Sequence, residues 1–196
     1  MWEEPIFFAS AFEALFDRTL RGRLTPQLQG RLRAAGVDLA GPLKAAYPFK
    51  VWEDVVAAVA RELHPEVAER EAWFLLGLDF VNGYSATLIG KAALALARLV
   101  GFDRTLQRFT TQLRNINNAA EGVVELSAPG RALLRVRLLE RFRGKLHPAP
   151  PPAAHYVRGV LLGMLMELGK TDARVAVVTA RPAERDTLYE LTWAED

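Results

Sequence analysis

The stretch Arg114-Asn115-Ile116-Asn117-Asn118 marks the point at which the hydrophobic period of this chain changes. Before it, apolar residues recur at helical spacing. After it come two short alternating runs, one compact apolar helix and two more alternating runs. This order predicts an α+β fold, with an N-terminal helical bundle over residues 1–114. Residues 115–196 then form a four-stranded antiparallel sheet in the order β-β-α-β-β, with one helix packed on it.

The composition is that of one globular domain covering residues 1–196. The chain is 51% hydrophobic and 24% charged, so it has enough apolar material to bury a core. It contains no cysteine, which excludes disulfides, thiolate metal sites and thiol nucleophiles. The amino end is acidic at Glu3 and Glu4, and the most apolar stretch, 92–97, is far shorter than a membrane span. We expect a soluble, cytoplasmic protein without membrane insertion.

Helical periodicity predicts the first elements of the bundle. Ile6 to Leu20 is typical of one amphipathic helix that buries an aromatic stripe. Thr25-Pro26 predicts the start of a second helix, because threonine caps the free amides and proline fits the first turn. Asp38 to Phe49 is predicted to be a connection. Val51 to Leu63 is predicted to be the third helix.

The second half of the bundle is predicted to be helical as well. Glu66 to Val100 is expected to form two pieces that meet near Gly77. Because Ser85 to Val100 carries few charges, we expect it to be the central, mostly buried helix. Phe102 to about Leu113 is predicted to be one more helix.

Alternating apolar and polar residues predict two hairpins in the carboxyl-terminal part. In the second strand Leu134, Val136 and Leu138 should face one side and Arg135 and Arg137 the other, as in a sheet with one face exposed to water. The predicted strands are Gly122 to Ser127, Ala132 to Glu140, Arg174 to Ala180 and Thr187 to Trp193.

His155 to Leu168 is predicted to be the helix between the two hairpins. Its glycines, Gly159 and Gly163, lie four residues apart and would allow a close approach to its backbone. We favour packing on the sheet over a dimer contact for this pair.

No catalytic motif, metal site or cofactor site stands out in the sequence. The three histidines, His64, His147 and His155, do not form a pair at helical ligand spacing, so we expect neither a metal site nor a histidine-based triad. Loop and helix-end positions account for them better. We therefore predict no catalytic residue, no metal and no cofactor.

A polar cluster at the change of period is the best candidate for a ligand or partner site. Arg114, Asn115, Asn117 and Asn118 lie where the bundle meets the sheet, which is a plausible pocket edge. Tyr84 is added to this candidate site. The alternative is that these residues form a turn that needs the backbone geometry of asparagine. We favour the turn over the binding site.

Basic residues form a second candidate site, for anions. Arg135 and Arg137 share one face of a predicted strand, and Arg141 and Arg143 extend that face if the strand continues. Such a stripe suits phosphates, anionic lipid or an acidic partner. A solvated sheet face is the favoured alternative, and we do not expect nucleic acid because no aromatic residue interleaves with the arginines.

Packing and turn residues along the whole chain resemble an uncharacterised family that is expanded into many paralogues in myxobacteria. The resemblance supports a shared fold and implies no chemistry. It rests on Ala11-Phe12-Glu13-Ala14-Leu15-Phe16, Leu24-Thr25-Pro26, Phe80-Val81-Asn82-Gly83-Tyr84 leading to Gly90, Arg114-Asn115-Ile116-Asn117-Asn118, Tyr156-Val157-Arg158-Gly159-Val160-Leu161 and Tyr189-Glu190-Leu191-Thr192-Trp193.

The order of elements also resembles the fold of haem nitric-oxide-binding domains, four-vinyl-reductase domains and trafficking-complex subunits. Within that resemblance, haem would require an axial histidine on a helix and a tyrosine-x-serine-x-arginine clamp. Tyr84-Ser85-Ala86 does not supply the clamp, and His64 lies at a helix end before proline.

The leading functional hypothesis is a non-enzymatic signalling or scaffold module. It would bind a partner protein or an apolar small molecule between bundle and sheet, and a homodimer is one form of the partner version. One alternative is a small hydrolase or transferase that uses Glu121, Asn117 and Arg114 at the junction. The weaker alternative is binding of an anion or a nucleic acid through the arginine stripe.

Overall fold

The structure, a computed structural model, describes residues 2–20, 22–100 and 102–194, without the side chains of residues 88, 89, 102, 103 and 109–112. The strands are β1 (Ile6–Phe8), β2 (Ala46–Pro48), β3 (Ala120–Ala128), β4 (Arg131–Leu138), β5 (Arg174–Arg181) and β6 (Asp186–Thr192). The helices are α1 (Ala9–Glu13, continued as a π-helix over Ala14–Thr19), α2 (Pro26–Ala34), α3 (Phe49–Leu63), α4 (Glu69–Ser85), α5 (Leu88–Val100), α6 (Phe102–Gln107), α7 (Phe109–Ile116) and α8 (Ala153–Glu167). This is the predicted α+β architecture.

The amino end does not begin with a helix, as the sequence predicted, but with β1. This strand pairs antiparallel with β2, which ends the segment predicted to be a connection, and Phe7 lies opposite Tyr47. The other side of β1 is satisfied by Asn118, whose side-chain oxygen accepts the N–H of Ile6 at 2.9 Å. The chain is extended here because both sides of its backbone have distant partners, which a helical pattern does not reveal.

The second helix begins as predicted. The hydroxyl oxygen of Thr25 accepts the N–H of Leu28 at 3.1 Å, and Pro26 occupies the first turn of α2. Gly36 follows the helix with a φ of 98°, a conformation that favours glycine.

Gly77 does not divide a helix, contrary to the prediction, because α4 runs through it without a break. A Cβ atom at Gly77 would lie 2.2 Å from the carbonyl oxygen of Tyr156, and one at Gly159 would lie 2.0 Å from that of Phe74. A Cβ atom at Gly163 would meet the side chain of Val81, which also belongs to α4. The glycines of α8 therefore serve packing against helix α4, not packing on the sheet.

α5 is not the central buried helix that its composition predicted. Leu96 is 46% exposed and Leu99 is 83% exposed. The chain breaks before α5, where the hydroxyl of Thr87 accepts the N–H of Gly90 at 2.9 Å. The buried central position belongs to α4, which packs against α8 and α3.

One further helix boundary differs from the prediction. Phe102 to Leu113 is not one helix, because α6 closes at Arg108 before α7 begins. The N–H of Arg108 is shared between the carbonyl oxygens of Arg104 and Thr105, each at 3.1 Å.

No single helix among the described residues is long and apolar enough to cross a membrane. α4 and residues Gly90–Val100 of α5 meet the criteria of length and composition only as a pair, and they are bent by 92°.

The two predicted hairpins form one antiparallel sheet with the strand order β3-β4-β6-β5. On β4, Ala132, Leu134 and Leu138 are buried and alternate with the more exposed arginines, as expected. Leu161 and Leu165 of α8 cover this inner face. A second, aromatic core fills the bundle around Trp52 and Phe12. The candidate site lies where these two cores meet.

Candidate functional site

A cavity of about 180 Å³ lies between the helical bundle and the sheet. We call it the bundle–sheet cavity. Its walls come from α3, α4, α7 and α8, from the inner face of the sheet, and from the proline-rich segment 149–151. Most of its wall is apolar, and seven of the lining residues are aromatic: Phe7, Phe49, Trp52, Trp73, Phe80, Tyr156 and Tyr189.

Helix spacing brings the aromatic side chains together. Phe49, Trp52 and Val56 lie three or four residues apart on α3 and so share one face of that helix. Tyr156 of α8 contacts three of these rings, with its ring centroid 6.2 Å from that of Trp52, 6.5 Å from Trp73 and 6.1 Å from Phe80. The wall of the cavity is therefore built by close packing of rigid rings.

The two tyrosines of the cavity differ in their hydrogen bonding. The hydroxyl of Tyr189 donates to the carbonyl oxygen of Ala154 at 3.1 Å. The hydroxyl of Tyr156 is buried and has no hydrogen-bond partner among the described residues. Burial raises the pKa of both phenols above the ordinary value, so both hydroxyls keep their protons at neutral pH.

A buried ion pair forms one charged part of the wall, and Arg137 of β4 forms another. Arg185 donates from Nη1 and Nη2 to the two carboxylate oxygens of Glu53, at 2.6 and 3.3 Å. The two side chains are only 9% and 8% exposed. Arg185 also donates from Nε to the carbonyl oxygen of His147 at 2.8 Å, and its guanidinium lies 5.2 Å from the ring of Phe49. One arginine thus ties the β5–β6 turn to α3 and to His147, in the connection before α8.

Sequence reasoning missed this ion pair. Glu53 lies next to Trp52 and three residues before Val56, on the apolar side of α3. A carboxylate in that position was a signal that it has a buried partner. The partner is 132 residues away in the chain, so the sequence did not identify it.

The predicted asparagine cluster is engaged with the backbone. Asn117 is 1% exposed, and its side-chain oxygen accepts the N–H groups of Ala119 and Ala120 at 2.9 and 2.6 Å. Its amide donates to the carbonyl oxygen of Leu113 at 3.0 Å. Asn118, besides its bond to β1, donates to the carbonyl oxygen of Glu4 at 2.9 Å. These contacts end α7 and start β3.

The remaining residues of that candidate site do not converge on one pocket. Arg114 is exposed and lines a surface groove together with Asn117 and Asn118. Asn115 is exposed, and its carbonyl oxygen accepts the hydroxyl of Ser10 at 3.0 Å. Tyr84 lies elsewhere, in a second cavity of about 110 Å³. Burial raises the pKa of its phenol. Ligand binding by this set stays a prediction.

Glu121, the proposed acid of the hydrolase alternative, does not join the groove of Arg114. Its carboxylate accepts a hydrogen bond from Nε of Arg137 at 2.8 Å. The side chain of Asn117 is engaged by the backbone, with Oδ1 accepting two N–H groups and the amide nitrogen donating to one carbonyl oxygen. The geometry that a hydrolase would need at the junction is therefore not formed.

The arginine stripe is shorter than predicted and is largely paired. β4 ends at Leu138, so Arg141 and Arg143 do not continue its face. Arg135 pairs with Glu125, and with Asp186 at 2.8 Å. The strand ends early because residues 140–142 turn into a short 3₁₀ helix.

Carboxylates next to Arg137 and Arg143 reduce the net positive charge of this face, and Arg141 is hydrogen-bonded to the backbone. Arg137 pairs with Glu121, and Arg143 lies 2.9 Å from the carboxylate of Glu140. Arg141 donates to the carbonyl oxygen of Asn118 at 3.1 Å. Anion binding by these arginines stays a prediction.

The fold of the chain is shared with H-NOX structures. It covers 96% of this chain and 95% of a Tt H-NOX variant (TM-score 0.67, 11% identity). For an H-NOX protein from S. oneidensis in the Fe(II)NO ligation state the figures are 96% and 99% (TM-score 0.66, 11% identity). For an Fe(II) unliganded H-NOX protein variant from K. algicida they are 96% and 97% (TM-score 0.64, 10% identity). The order-of-elements resemblance is thus confirmed as a shared fold.

The chain belongs to the family described as Protein of unknown function (DUF2378), whose model matches residues 6–194. This agrees with the resemblance to an uncharacterised family. No curated protein matches the chain in sequence.

The residues around the bundle–sheet cavity do not fit a haem iron. Protein ligands to haem iron are histidine, cysteine, methionine or tyrosine. The chain has no cysteine, and neither histidine nor methionine is among the residues that line this cavity. The two lining tyrosines are held in the protonated form by burial. His64, the histidine that follows α3, instead lies with Nε2 3.1 Å from the carboxylate of Asp79.

Proposed function

We propose that this protein is a non-enzymatic sensory module that binds a small apolar molecule in the bundle–sheet cavity. The observation that carries the proposal is the cavity itself, about 180 Å³ of mostly apolar space between the two halves of the fold. An engineered apolar cavity of about 150 Å³ stays dry and binds benzene or xenon. A cavity of this size therefore suits a ligand with a single ring.

The position of the cavity supports a sensory role. Its walls combine helices of the bundle with strands of the sheet, so a ligand contacts both halves at once. A ligand changes a conformational equilibrium only through a difference in its affinity for the two states. A site between two packed layers provides such a difference when the layers shift. The shared fold with H-NOX proteins supports this class by analogy.

The absence of convergent chemistry at the junction supports a non-enzymatic role. Among the described residues, Glu121, Asn117 and Arg114 do not meet in one pocket. The ion pair between Glu53 and Arg185 on the wall of the bundle–sheet cavity is bidentate, and its guanidinium is further engaged by a backbone carbonyl. Arg137, which also lines the cavity, is paired with Glu121. Each of these charged groups has an ionic partner within the described part of the chain.

A second proposal is a protein partner or a second copy of the chain. It is favoured by the leucines of α5, since Leu96 and Leu99 are exposed. Sedimentation equilibrium of wild type and Leu99→Lys tests it. A dimer that the substitution dissociates is expected, and a wild-type monomer would contradict the homodimer.

Thermal unfolding in the presence of toluene tests the cavity proposal. Toluene should raise the unfolding midpoint of the wild type, because a ligand that binds only the folded state stabilises it by mass action. Val136→Phe fills the cavity from the sheet side and should remove the effect, and the milder Val136→Leu should reduce it. Val178→Phe makes the same change at an exposed residue outside the cavity and should keep the effect. An unchanged wild-type midpoint, or an equal shift in Val136→Phe, contradicts the proposal.

A further inference from the structure

The second cavity, of about 110 Å³, lies next to the bundle–sheet cavity. Four apolar residues line both of them: Phe80, Leu113, Ile116 and Val160. Beyond these residues the bundle–sheet cavity extends towards the sheet, whereas the second cavity extends towards α5. The two cavities are therefore neighbours with a shared wall.

One face of α8 runs along both cavities. Ala153, Val157 and Val160 line the bundle–sheet cavity, and Val160 and Met164 line the second cavity. These residues lie three or four positions apart, so they share one side of the helix. At 1.5 Å per residue, that side extends over about 16 Å from Ala153 to Met164. The apolar space beside α8 is therefore elongated.

The ring of Phe80 lies between the two cavities. Its centroid is 6.0 Å from that of Trp52 and 6.1 Å from that of Tyr156, and both of these residues line the bundle–sheet cavity. The same ring stacks on Tyr84 of the second cavity at 6.3 Å. Side chains change rotamer inside folded proteins. A rotation of this one ring would thus open a passage between the two cavities.

The size of the second cavity limits what it can hold. An apolar cavity of about 150 Å³ binds benzene, and the second cavity is smaller than that. It therefore suits a narrow alkyl group better than a ring. None of the described residues that line it is charged, and only Tyr84, Ser85 and Thr105 among them carry a hydroxyl.

We infer that the ligand carries an unbranched alkyl tail on its ring, with the ring in the bundle–sheet cavity and the tail in the second cavity, beside a rotated Phe80. Each methylene group buried there tightens binding about fourfold. In this arrangement Tyr84, a residue of the predicted binding site, lines the tail site. The inference rests on the proposed function, because the ring occupies the same cavity.

Calorimetric titration with three alkylbenzenes tests the inference. n-Butylbenzene has three more methylene groups than toluene, so the wild type should bind it about fiftyfold more tightly. tert-Butylbenzene has the same number of carbon atoms as n-butylbenzene, but its alkyl group is branched and compact. Because it has no tail to place in the second cavity, it should lose most of this advantage.

Substitutions on α5 fill the second cavity and leave the bundle–sheet cavity unchanged. Ala97 and Ala93 lie four residues apart and line only the second of the two cavities. In Ala97→Leu the affinity for toluene should match that of the wild type, and the advantage of n-butylbenzene should fall to about fourfold or less. Ala93→Leu, at a half-buried residue, should do the same and keeps the test available if Ala97→Leu does not fold. Ala92→Leu is the matched control at an exposed residue outside both cavities, and it should keep the full advantage.

The outcomes separate the alkyl tail from the proposed function. n-Butylbenzene that binds the wild type no more tightly than toluene, or an advantage that survives undiminished in the filled variants, overturns the inference while the proposed function stands. Equal binding of the two butylbenzenes, or loss of the advantage in Ala92→Leu, overturns it as well. Failure of all three compounds to bind the wild type overturns the proposed function itself.

Discussion

The guanidinium of Arg185 connects three distant parts of the chain. It binds the carboxylate of Glu53 on α3, the carbonyl oxygen of His147 and the ring of Phe49. Arg185 has a φ of 52°, which a non-glycine residue adopts only when its surroundings hold it there. Its contacts supply that support, so the turn between β5 and β6 depends on one side chain.

Glu53→Gln should therefore destabilise the fold by about 3–5 kcal/mol, because it leaves a buried guanidinium without its counter-charge. Urea unfolding measures the change. Glu121→Gln is the matched control, since it breaks an arginine pair that is more exposed and should cost about 1 kcal/mol or less. Equal costs for the two substitutions contradict this account of Arg185.

Removal of each tyrosine hydroxyl should affect stability differently. Tyr189→Phe loses a hydrogen bond and should cost about 1 kcal/mol. Tyr156→Phe removes a buried hydroxyl that has no partner, so its free energy of unfolding should stay the same or rise. Urea unfolding of the two variants, in buffer free of added ligand, makes the comparison. A larger loss in Tyr156→Phe would show that its hydroxyl has a partner in the folded protein.

The asparagines show that residue type predicts local hydrogen bonding but not the distant partner of a side chain. Asn117 and Asn118 were favoured as residues needed for a turn, and their amides do bond the backbone around the end of α7. That Asn118 also holds β1 was not predictable, because Ile6 is 112 residues away. Local bonding follows from residue type, whereas the choice of a distant partner follows from the fold.

At the scale of elements, α4 and α8 pack with their backbones in close contact. Gly77 and Gly159 lie opposite each other, and an added Cβ on either would overlap a carbonyl oxygen of the other helix. The same contact positions Tyr156 at the wall of the cavity. The geometry of the site thus depends on the distance between these two helices.

Gly77→Ala and Gly159→Ala should each destabilise the fold by about 1–3 kcal/mol or more, because rigid backbone must move. Gly30→Ala is the control, since Gly30 lies in α2 with open space around it. It should stabilise the fold by about 0.5–1 kcal/mol through helix propensity. Thermal unfolding of the three variants measures the order of their stabilities. A Gly77→Ala protein as stable as the wild type contradicts the close helix contact.

The errors at this scale have one physical cause. Composition predicted α5 as the central helix and a break at Gly77, because apolar content and glycine were taken as local signals. Burial depends on which helix faces which, and Gly77 is needed for a contact with α8 that no local pattern contains. Hydrophobic period is local, so the hairpins and α8 were predicted to within a few residues.

At the scale of the whole molecule, the change of period at residues 114–118 separates the bundle from the sheet, as predicted. The hypothesis of an apolar site between the two halves was also made from the sequence. The cavity in that place supports it, although its walls come from other residues than the asparagine cluster. Apart from Tyr84, no aromatic residue was predicted to belong to a site. The use of aromatic residues as a cavity wall depends on how two layers fit together, which spacing does not encode.

The most direct test of the central claim is a crystal structure of the protein under xenon pressure. Xenon enters dry apolar cavities and avoids polar or filled ones. We predict xenon density in the bundle–sheet cavity, among Trp52, Tyr156 and Tyr189. A cavity that holds ordered water instead, or side chains that close the space, would contradict the claim that this fold binds a small apolar molecule between its bundle and its sheet.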